Sequence, residues 1–433
     1  EKGFQLVYGA TANLFLDRHN NYIGYGPEAK ELVGIPDPET FCQLPWDKKV
    51  ARVFVTCFRN REERENPGGH LTSDCRGNLR IIAEEFKKKH GYQLRVGTEP
   101  EMMWLTKNPD GTPTGKGFSK PYCYHIDQFE SLRPVFMKVM EYARAMGFDM
   151  IQGDHEDAPG QLELNWMYDD VLRNADRLTT YRQICAQVAR EFNLIACFMS
   201  KPFMGVSANG CHTNVSLWKG GELKSTPIGN NPLPGMDQVF THISGGENMF
   251  MPDPKIDTVK PGPVGLNSIA GLLKHLPALT CLGSPTVNSY RRLWDTGFWA
   301  PVYADWGYQN RTCSVRVSAP GRVEYRSVDS SHNPYLMGAG ILKAFEDGLD
   351  NKMDPGEPEK KNIYDAMKAG KEVDKLPLTL GEAIQRLDRD EIIKSALPED
   401  MLRVFMHYKN DEWEKFLSAV TQWDVDTYLD VLP

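Results

Sequence analysis

The chain has few of the features that mark a secreted, membrane-spanning or nucleic-acid-binding protein. Its nine cysteines are scattered through 433 residues with no C-x-x-C pair. Neither a disulfide framework nor a cysteine zinc site is indicated, and a reducing cytoplasm is the compartment that fits. No apolar run reaches the roughly 18 residues of a membrane span; the best candidate, 264–283, is broken by Lys274 and His275. Excess positive charge is missing as well: the formal net charge is -8, which argues against nucleic acid as a partner. There is no low-complexity tract, no repeat and no visible signal peptide. The chain opens at Glu1 without an initiator methionine, so the expectation is that the natural N-terminus lies upstream. A Walker A sequence and a G-x-G-x-x-G are also absent, which removes the P-loop and kinase-type phosphate cradles.

What is present reads as an α+β protein too long for one ordinary core. Residues 1–68 are turn-rich with short β-type runs such as Val50–Thr56. They end in the polar loop Asn60–Gly69, the expected boundary between a small β-rich domain (1–68) and a larger one (69–433). Beyond it, Asn78–His90 has helical spacing with Gly91 as its stop, and Tyr92–Val96 begins a strand. Helices are expected over 128–147, 170–199 and 265–281, a long loop over 227–263, strands over Arg311–Ser318 and Arg322–Val328, and mostly helix in the last hundred residues. Thr379-Leu-Gly-Glu382 reads as a capping box.

The informative stretch is Gly153-Asp-His-Glu-Asp-Ala-Pro-Gly-Gln-Leu-Glu-Leu-Asn-Trp166. A Pro159-Gly160 turn separates Glu156 from Glu163. In the second half Gln161, Glu163 and Asn165 alternate with Leu162, Leu164 and Trp166, so one face is polar and the other apolar. The device recurs. Glu99 and Glu101 are two apart, with Pro100 between them fitting an edge strand or bulge. His212, Asn214 and Ser216 share a face, and so do Arg322, Glu324 and Arg326. Five carboxylates (Glu99, Glu101, Glu156, Glu163, Glu324) and His212 form a hard, oxygen-rich donor set suited to magnesium or manganese. If the strands meet, so much like charge implies two or more divalent ions. Arg292, Arg311, Arg316, Arg322 and Arg326 add anion-binding capacity, and the combination suggests nucleotide phosphates and phosphoryl transfer. Taken singly, each stretch also fits a solvated strand face, a structural histidine or surface ion pairs.

From about Pro36 to the C-terminus these residues resemble the glutamine synthetase family. The markers are Glu99-Pro-Glu101, His155-Glu156 followed by Pro-Gly-Gln-x-Glu163, Asn-Gly-Cys-His212, Pro285-Thr-Val-Asn-Ser-Tyr-Arg-Arg-Leu293, Ala300-Pro-Val-Tyr303, Gln309-Asn-Arg-Thr312, and Arg322-Val-Glu-Tyr-Arg326 with Asn333-Pro-Tyr-Leu336. The resemblance implies a β-grasp N-terminal domain and a catalytic domain with a curved antiparallel sheet and surrounding helices. It also implies a homo-oligomer of stacked rings, a dodecamer, with each site at a subunit boundary. It places a first metal on Glu101, Glu156 and Glu163 and a second on Glu99, His212 and Glu324, two or three magnesium or manganese ions per site. Arg292, Arg326 and Ala208 would bind glutamate, and Ser216, Arg316 and Arg322 ATP. Arg311 and Arg292 would act in catalysis. The implied reaction activates glutamate as γ-glutamyl phosphate, which an amine then attacks.

The sequence also departs from the family. Where the family's flap ends in Pro-Gly-aromatic-Glu, this chain has Trp294-Asp-Thr-Gly-Phe-Trp299, so Trp299 replaces a carboxylate that helps deprotonate ammonium. Ser207-Ala208 replaces an Asn-Gly pair, and Asn214 a second histidine. Only Asp17 and Glu31 remain as positional candidates for the N-terminal loop that completes a neighbour's ammonium site. Ammonium has no lone pair until a base removes its proton, and an indole offers an apolar wall instead. The expected acceptor is therefore an organic amine, best an arylamine such as aniline, whose free base dominates at neutral pH. Trp299, Phe298 and Tyr124 would line its pocket, with Trp294 adding surface. The competing readings are ordinary glutamine synthesis from ammonia, a ligase for alkylamines or polyamines, and a non-catalytic structural relative. A regulatory role for Tyr364 is a further, lesser reading of Asn362-Ile-Tyr-Asp365.

Overall fold

A computed structural model describes residues 3–6, 16–26, 28–29, 32–59, 71–117, 123–227, 239–255, 257–294 and 300–431. The N-terminal part is β-rich. Strands β1 (Phe4–Leu6), β2 (Leu32–Pro36) and β5 (Val55–Phe58) form one sheet, and β3 (Cys42–Leu44) pairs with β4 (Asp47–Arg52). Its own apolar cluster is small, built on Leu32, Cys57 and Leu71. Buried charge ties it to the rest: Arg76 bridges Asp37 at 2.7 Å and Asp176 at 2.9 Å. The expected boundary loop, 60–69, lies outside the described residues.

The larger part is organised on β6 (Tyr92–Lys107). It follows a helix, Cys75–His90, which begins three residues before the expected start because Asp74 caps it by accepting from Arg76 N. β6 changes partners midway. Its first half pairs with β12 (Cys211–Lys219), from Cys211 opposite Pro100 to Lys219 opposite Tyr92. Its second half pairs with β9 (Gln161–Trp166) and β11 (Ile195–Cys197), Met103 having a partner in each. Pro100 therefore sits in a central strand and not on an edge. The missing N–H is tolerated because the ladder is handed over there: Cys211 N donates to Val328 O and Glu101 N to Gly210 O.

With β8 (Met150–His155), β16 (Trp306–Tyr308), β17 (Val315–Ala319) and β18 (Arg322–Tyr325), the path runs β16-β17-β18-β12-β6-β9-β8 within an 11-stranded, largely antiparallel sheet, which β7 (Pro113–Gly117), β10 (Asp169–Asp170) and β11 join on β6 and β15 (Glu247–Asn248) on β12. Alternation decides its two faces. Leu162, Leu164 and Trp166 join Met102, Trp104 and the helices Ile126–Ala145 and Val171–Glu191 in one core. Val215, Leu217, Val315, Val317 and Val323 join the helices Pro263–Gly283 and Pro334–Asp350 in the other. Each such buried side chain contributes about 1.5–3 kcal/mol, and that burial holds the polar face open toward the cleft.

Three local expectations are revised. The helix expected over 170–199 ends at Glu191, because Asn193 turns left-handed (φ 54°) and the chain re-enters the sheet as β11. Inside the loop expected over 227–263, β14 (Val239–Ser244) pairs antiparallel with β13 (Glu222–Pro227), the strand that leads into it, so the glycine- and proline-rich composition concealed one arm of a ribbon. Thr379 does cap its helix, accepting from Glu382 N at 3.1 Å, but Glu382 accepts from Leu378 N and leaves the box unreciprocated.

Packing beneath the β8–β9 hairpin is tight. A methyl group at Gly153 would lie 2.0 Å from Phe136 Cε2 and 2.7 Å from Leu164 Cδ2. Gly153→Ala is expected to destabilise the protein by roughly 1–3 kcal/mol, read as a lower denaturant midpoint at unchanged m; an unchanged midpoint would show that Phe136 moves aside freely.

Candidate active site

Strand register puts the acidic side chains on neighbouring rungs of one sheet face. Arg316 pairs with Glu324, Glu324 with Asn214, His212 with Glu99, Glu101 with Glu163, and Glu163 with Asp154. Directly opposed residues share a face, so the sheet assembles into one cleft groups that lie more than 200 residues apart in sequence. Glu156 enters just beyond β8, where its N–H donates to Gln161 O and Gly160 (φ 73°) turns the hairpin.

The cleft has two connected parts. The first, a cavity of about 580 Å³, is lined by Glu99, Glu101, Glu156, Glu163, His212, Ala208 and the arginines 292, 311, 316, 322 and 326. The second, about 490 Å³, shares Glu99 and Arg322 with it and continues along Ser216, Trp218, Tyr168 and Arg95. Ser216 Oγ accepts from Trp218 Nε1 at 2.8 Å, and the Arg95 guanidinium lies 4.1 Å from the Trp218 ring centre.

Burial and mutual repulsion dominate the electrostatics. Burial, then the charges of Glu101 and Asp154, raise the Glu156 carboxyl from 4.5 to about 8. Burial, then Glu99, Glu101 and Glu156, push Glu163 well up, and burial raises Glu101. Glu324 behaves oppositely. Burial pushes it up, but Arg326, His212 and Arg316 outweigh that and hold it below its ordinary value. Arg316 Nη1 donates to it at 2.6 Å and Arg326 Nη1 to its other oxygen. His212 is pushed well down by burial and then by Arg326, so its imidazole is neutral and able to donate a lone pair.

Donor atoms of Glu99, Glu163 and His212 lie within 4.8 Å of one another, and so do those of Asp154, Glu156 and Glu163. This set, carboxylate but for one imidazole, fits a hard divalent cation such as magnesium or manganese. Glu101 borders both groups. Its Oε2 accepts from Gly210 N at 2.7 Å and Gln161 Nε2 at 3.3 Å. Space at Gly210 is tight: a methyl group there would lie 3.2 Å from Arg292 Nη2, 3.2 Å from His212 Nε2 and 3.3 Å from Glu101 Oε1, so these side chains would have to give by a few tenths of an ångström.

Several participants were given no role in the site by the sequence. Asp154 faces Glu163 two residues ahead of Glu156, a spacing that alternation alone could have exposed. Gln161 links Glu101 to the turn at Ala208 and Asn209, donating to Ala208 O at 3.0 Å and Asn209 Oδ1 at 2.9 Å. Asn214 donates to Glu99 Oε1 at 2.7 Å and Asn165 to Glu163 Oε1 at 2.7 Å. Ser207 Oγ donates to Asp157 Oδ2 at 2.6 Å, a contact between two turns that no local pattern announces.

The amine-pocket reading is reached only in part. Tyr124, 73% exposed, stands at the cleft mouth, held by its N–H on His155 O. Trp294 is exposed and donates its indole N–H to Leu378 O; Phe298, Trp299 and Glu31 lie outside the described residues. Asp17 folds onto its own chain, accepting from His19 N and Asn21 N at 2.8 Å and facing His407 Nε2 at 3.0 Å. The Tyr364 hydroxyl donates to Ala300 O at 3.2 Å, against the face of the protein.

Glu101, Glu156 and Glu163 hold protons more tightly folded than unfolded. The cation-free fold therefore loses stability as pH rises from about 4.5 through about 8, the window set by Glu156. Magnesium or manganese competes with those protons. The rise in Tm on adding either ion is expected to grow from about pH 6 to about pH 8.5, and Glu156→Gln should flatten that growth; a pH-independent rise would contradict the reading.

Comparisons with known proteins agree with this geometry. The family model described as "Glutamine synthetase, catalytic domain" matches residues 72–246 and 235–428. A glutamine synthetase of Pyrococcus furiosus is 34% identical over 427 residues, covering 93% of this chain and 86% of its own. One of Rhizobium leguminosarum bv. phaseoli is 32% identical over 413 residues, covering 94% and 87%. Solved structures described as "Apo GmaS without ligand" and "GmaS/ADP complex-Conformation 1" superpose with a TM-score of 0.81 at 30% and 29% identity, covering 99% of this chain and 90% of each of theirs. The chain belongs to the glutamine synthetase family and is an ATP-dependent carbon–nitrogen ligase of that type.

Proposed function

We propose that the protein joins the γ-carboxylate of glutamate to an organic amine, with an arylamine such as aniline as the preferred acceptor. One observation carries the glutamate half. Arg292 is 4% exposed, its Nη2 donates to Arg326 O at 3.3 Å, and its Nη1 is buried with no hydrogen-bond partner among the described residues. A buried guanidinium N–H left unpaired costs on the order of 1–3 kcal/mol. Arg292 lines the cleft, so a substrate carboxylate arriving there would recover that cost with a charge-assisted bond.

The remaining roles follow from position. Glu99, Glu163, His212, Asp154 and Glu156 would hold two or three magnesium or manganese ions, which neutralise phosphate charge when bound. Arg311 and Arg322 stand along the same cleft to orient the phosphates of ATP, Arg316 adds positive charge beside them while paired to Glu324, and Ser216 and Trp218 border its far part. The γ-carboxylate oxygen of glutamate attacks the terminal phosphorus of ATP and ADP leaves. The amine nitrogen then attacks the acyl carbon of γ-glutamyl phosphate, phosphate leaves, and the nitrogen gives up a proton.

The choice of amine rests on that last proton. The flap segment 294–299 carries Trp294, Phe298 and Trp299 where the family pattern has its glutamate. An arylamine arrives with its lone pair free and needs no base at neutral pH, whereas ammonium does. The likeness to GmaS, in an amine-ligase branch of the family, supports an organic acceptor, and alkylamines are the second reading on that ground. The curated relatives named glutamine synthetase support ammonia.

ADP release with ATP, glutamate and magnesium, measured against ammonia, ethylamine, putrescine and aniline, decides among them. The expected order puts aniline first and ammonia last. Trp299→Glu is expected to raise turnover with ammonia by roughly 100-fold, the low end of what a positioned base contributes. Preference for ammonia in the unaltered enzyme, or an unchanged order in the variant, would overturn the arylamine reading.

A further inference from the structure

The helix Glu399–Leu417 lies outside the cleft, yet it grips the segment that delivers Arg292. Lys409, 7% exposed, donates to Glu412 Oε2 at 2.8 Å, and Glu412 Oε1 accepts from Val287 N at 3.0 Å. One helical turn further, Phe416 lies under the Arg291 guanidinium at 5.6 Å, on the same helix face by its four-residue spacing.

Val287 stands inside a tightly closed turn. Thr286 and Ser289 exchange hydrogen bonds, Thr286 N donating to Ser289 Oγ at 3.2 Å and Ser289 N to Thr286 Oγ1 at 3.1 Å. Asn288 clasps the backbone of Lys201 through both ends of its amide, at 2.8 and 2.9 Å. The turn continues directly into Arg292, whose N–H donates to Ser289 O at 3.2 Å. A shift at Val287 has no slack in which to dissipate before Arg292, five residues on. A carboxylate accepting a backbone N–H while paired to a buried ammonium is a strong, directional restraint.

We infer that Glu412, fixed by Lys409, is a positioning residue for Arg292 and thereby sets glutamate affinity. The inference rests on the reading of Arg292 as the glutamate-carboxylate group. Misplacing the Arg292 guanidinium by a fraction of an ångström weakens ground-state and transition-state binding alike, so the loss falls on KM and not on kcat.

The test is steady-state kinetics of the full chain with the amine that gives turnover, varying glutamate and ATP separately. Glu412→Ala is expected to raise the KM for glutamate by about tenfold, with kcat and the KM for ATP within about twofold of the unaltered enzyme. The double variant Glu412→Gln with Lys409→Met keeps an acceptor for Val287 N and removes the buried charge, and should return the glutamate KM to within about threefold. Glu412→Asp keeps the charge facing Lys409 but withdraws the oxygen from Val287, and gives the same direction should the alanine variant fail to fold. A glutamate KM unchanged in Glu412→Ala, or a double variant as impaired as the alanine one, would overturn the inference. An unaltered enzyme whose ATP turnover ignores glutamate would overturn the reading of Arg292 itself, and this proposal with it.

Discussion

Like charge packed against a buried sheet is the constraint on which the rest depends. Two carboxylates about 4 Å apart repel by about 4 kcal/mol at the effective dielectric of a protein surface, and by more as water is excluded. Here Glu99, Glu101, Glu156 and Glu163 share a face whose reverse side is helix-covered core, and three of them answer by holding protons. Such a site is costly when empty of cations and is relieved by binding them. The apolar layers beneath, from Trp104 and Trp166 on one side to Val315 and Tyr325 on the other, supply the stability that lets the acidic face persist.

The basic groups divide the labour. Arg316 and Arg326 are committed to Glu324, which is why that carboxylate is held low. Arg292 is buried but, among the described residues, left with an unused N–H, and Arg311 and Arg322 are exposed at the rim. The result is graded from structural charge at the base of the cleft to available charge at its mouth, an arrangement suited to a polyanion entering at one end and a carboxylate held deep at the other. The second cavity, with Trp218 pinned by Ser216 and covered by Arg95, gives the cleft a flat aromatic surface beyond its charged part.

What failed to be legible has specific causes. The helix overrun past Glu191 came from residues whose apolar spacing continues while the backbone turns at Asn193. The β13–β14 ribbon was hidden because glycine and proline dominate its surroundings, and strand formation there depends on the partner and not on propensity. Pro100 read as an edge or a bulge because a proline cannot donate to a ladder. The structure keeps it central by exchanging β12 for β9 at that residue. The grip of Glu412 on Val287 and the link between Ser207 and Asp157 join segments with no shared pattern, so nothing local points to them.

The sequence by itself determined the chemistry of the site. Alternation fixed which of Glu99, Glu101, Glu163, His212 and Glu324 face away from the core, because side chains on a strand take opposite sides in strict turn, and residue type fixed that the donors are hard and the rim cationic. It also raised the expectation that Trp299 stands where the family pattern has a carboxylate. Tertiary structure alone decided which of these groups meet. Strand order and register put His212 across from Glu99 and Asp154 across from Glu163, paired Glu324 with two arginines, and left one N–H of Arg292 unspent among the described residues. Those outcomes depend on distances between segments far apart in the chain, and a one-residue slip of register would undo them without changing any residue's own preference.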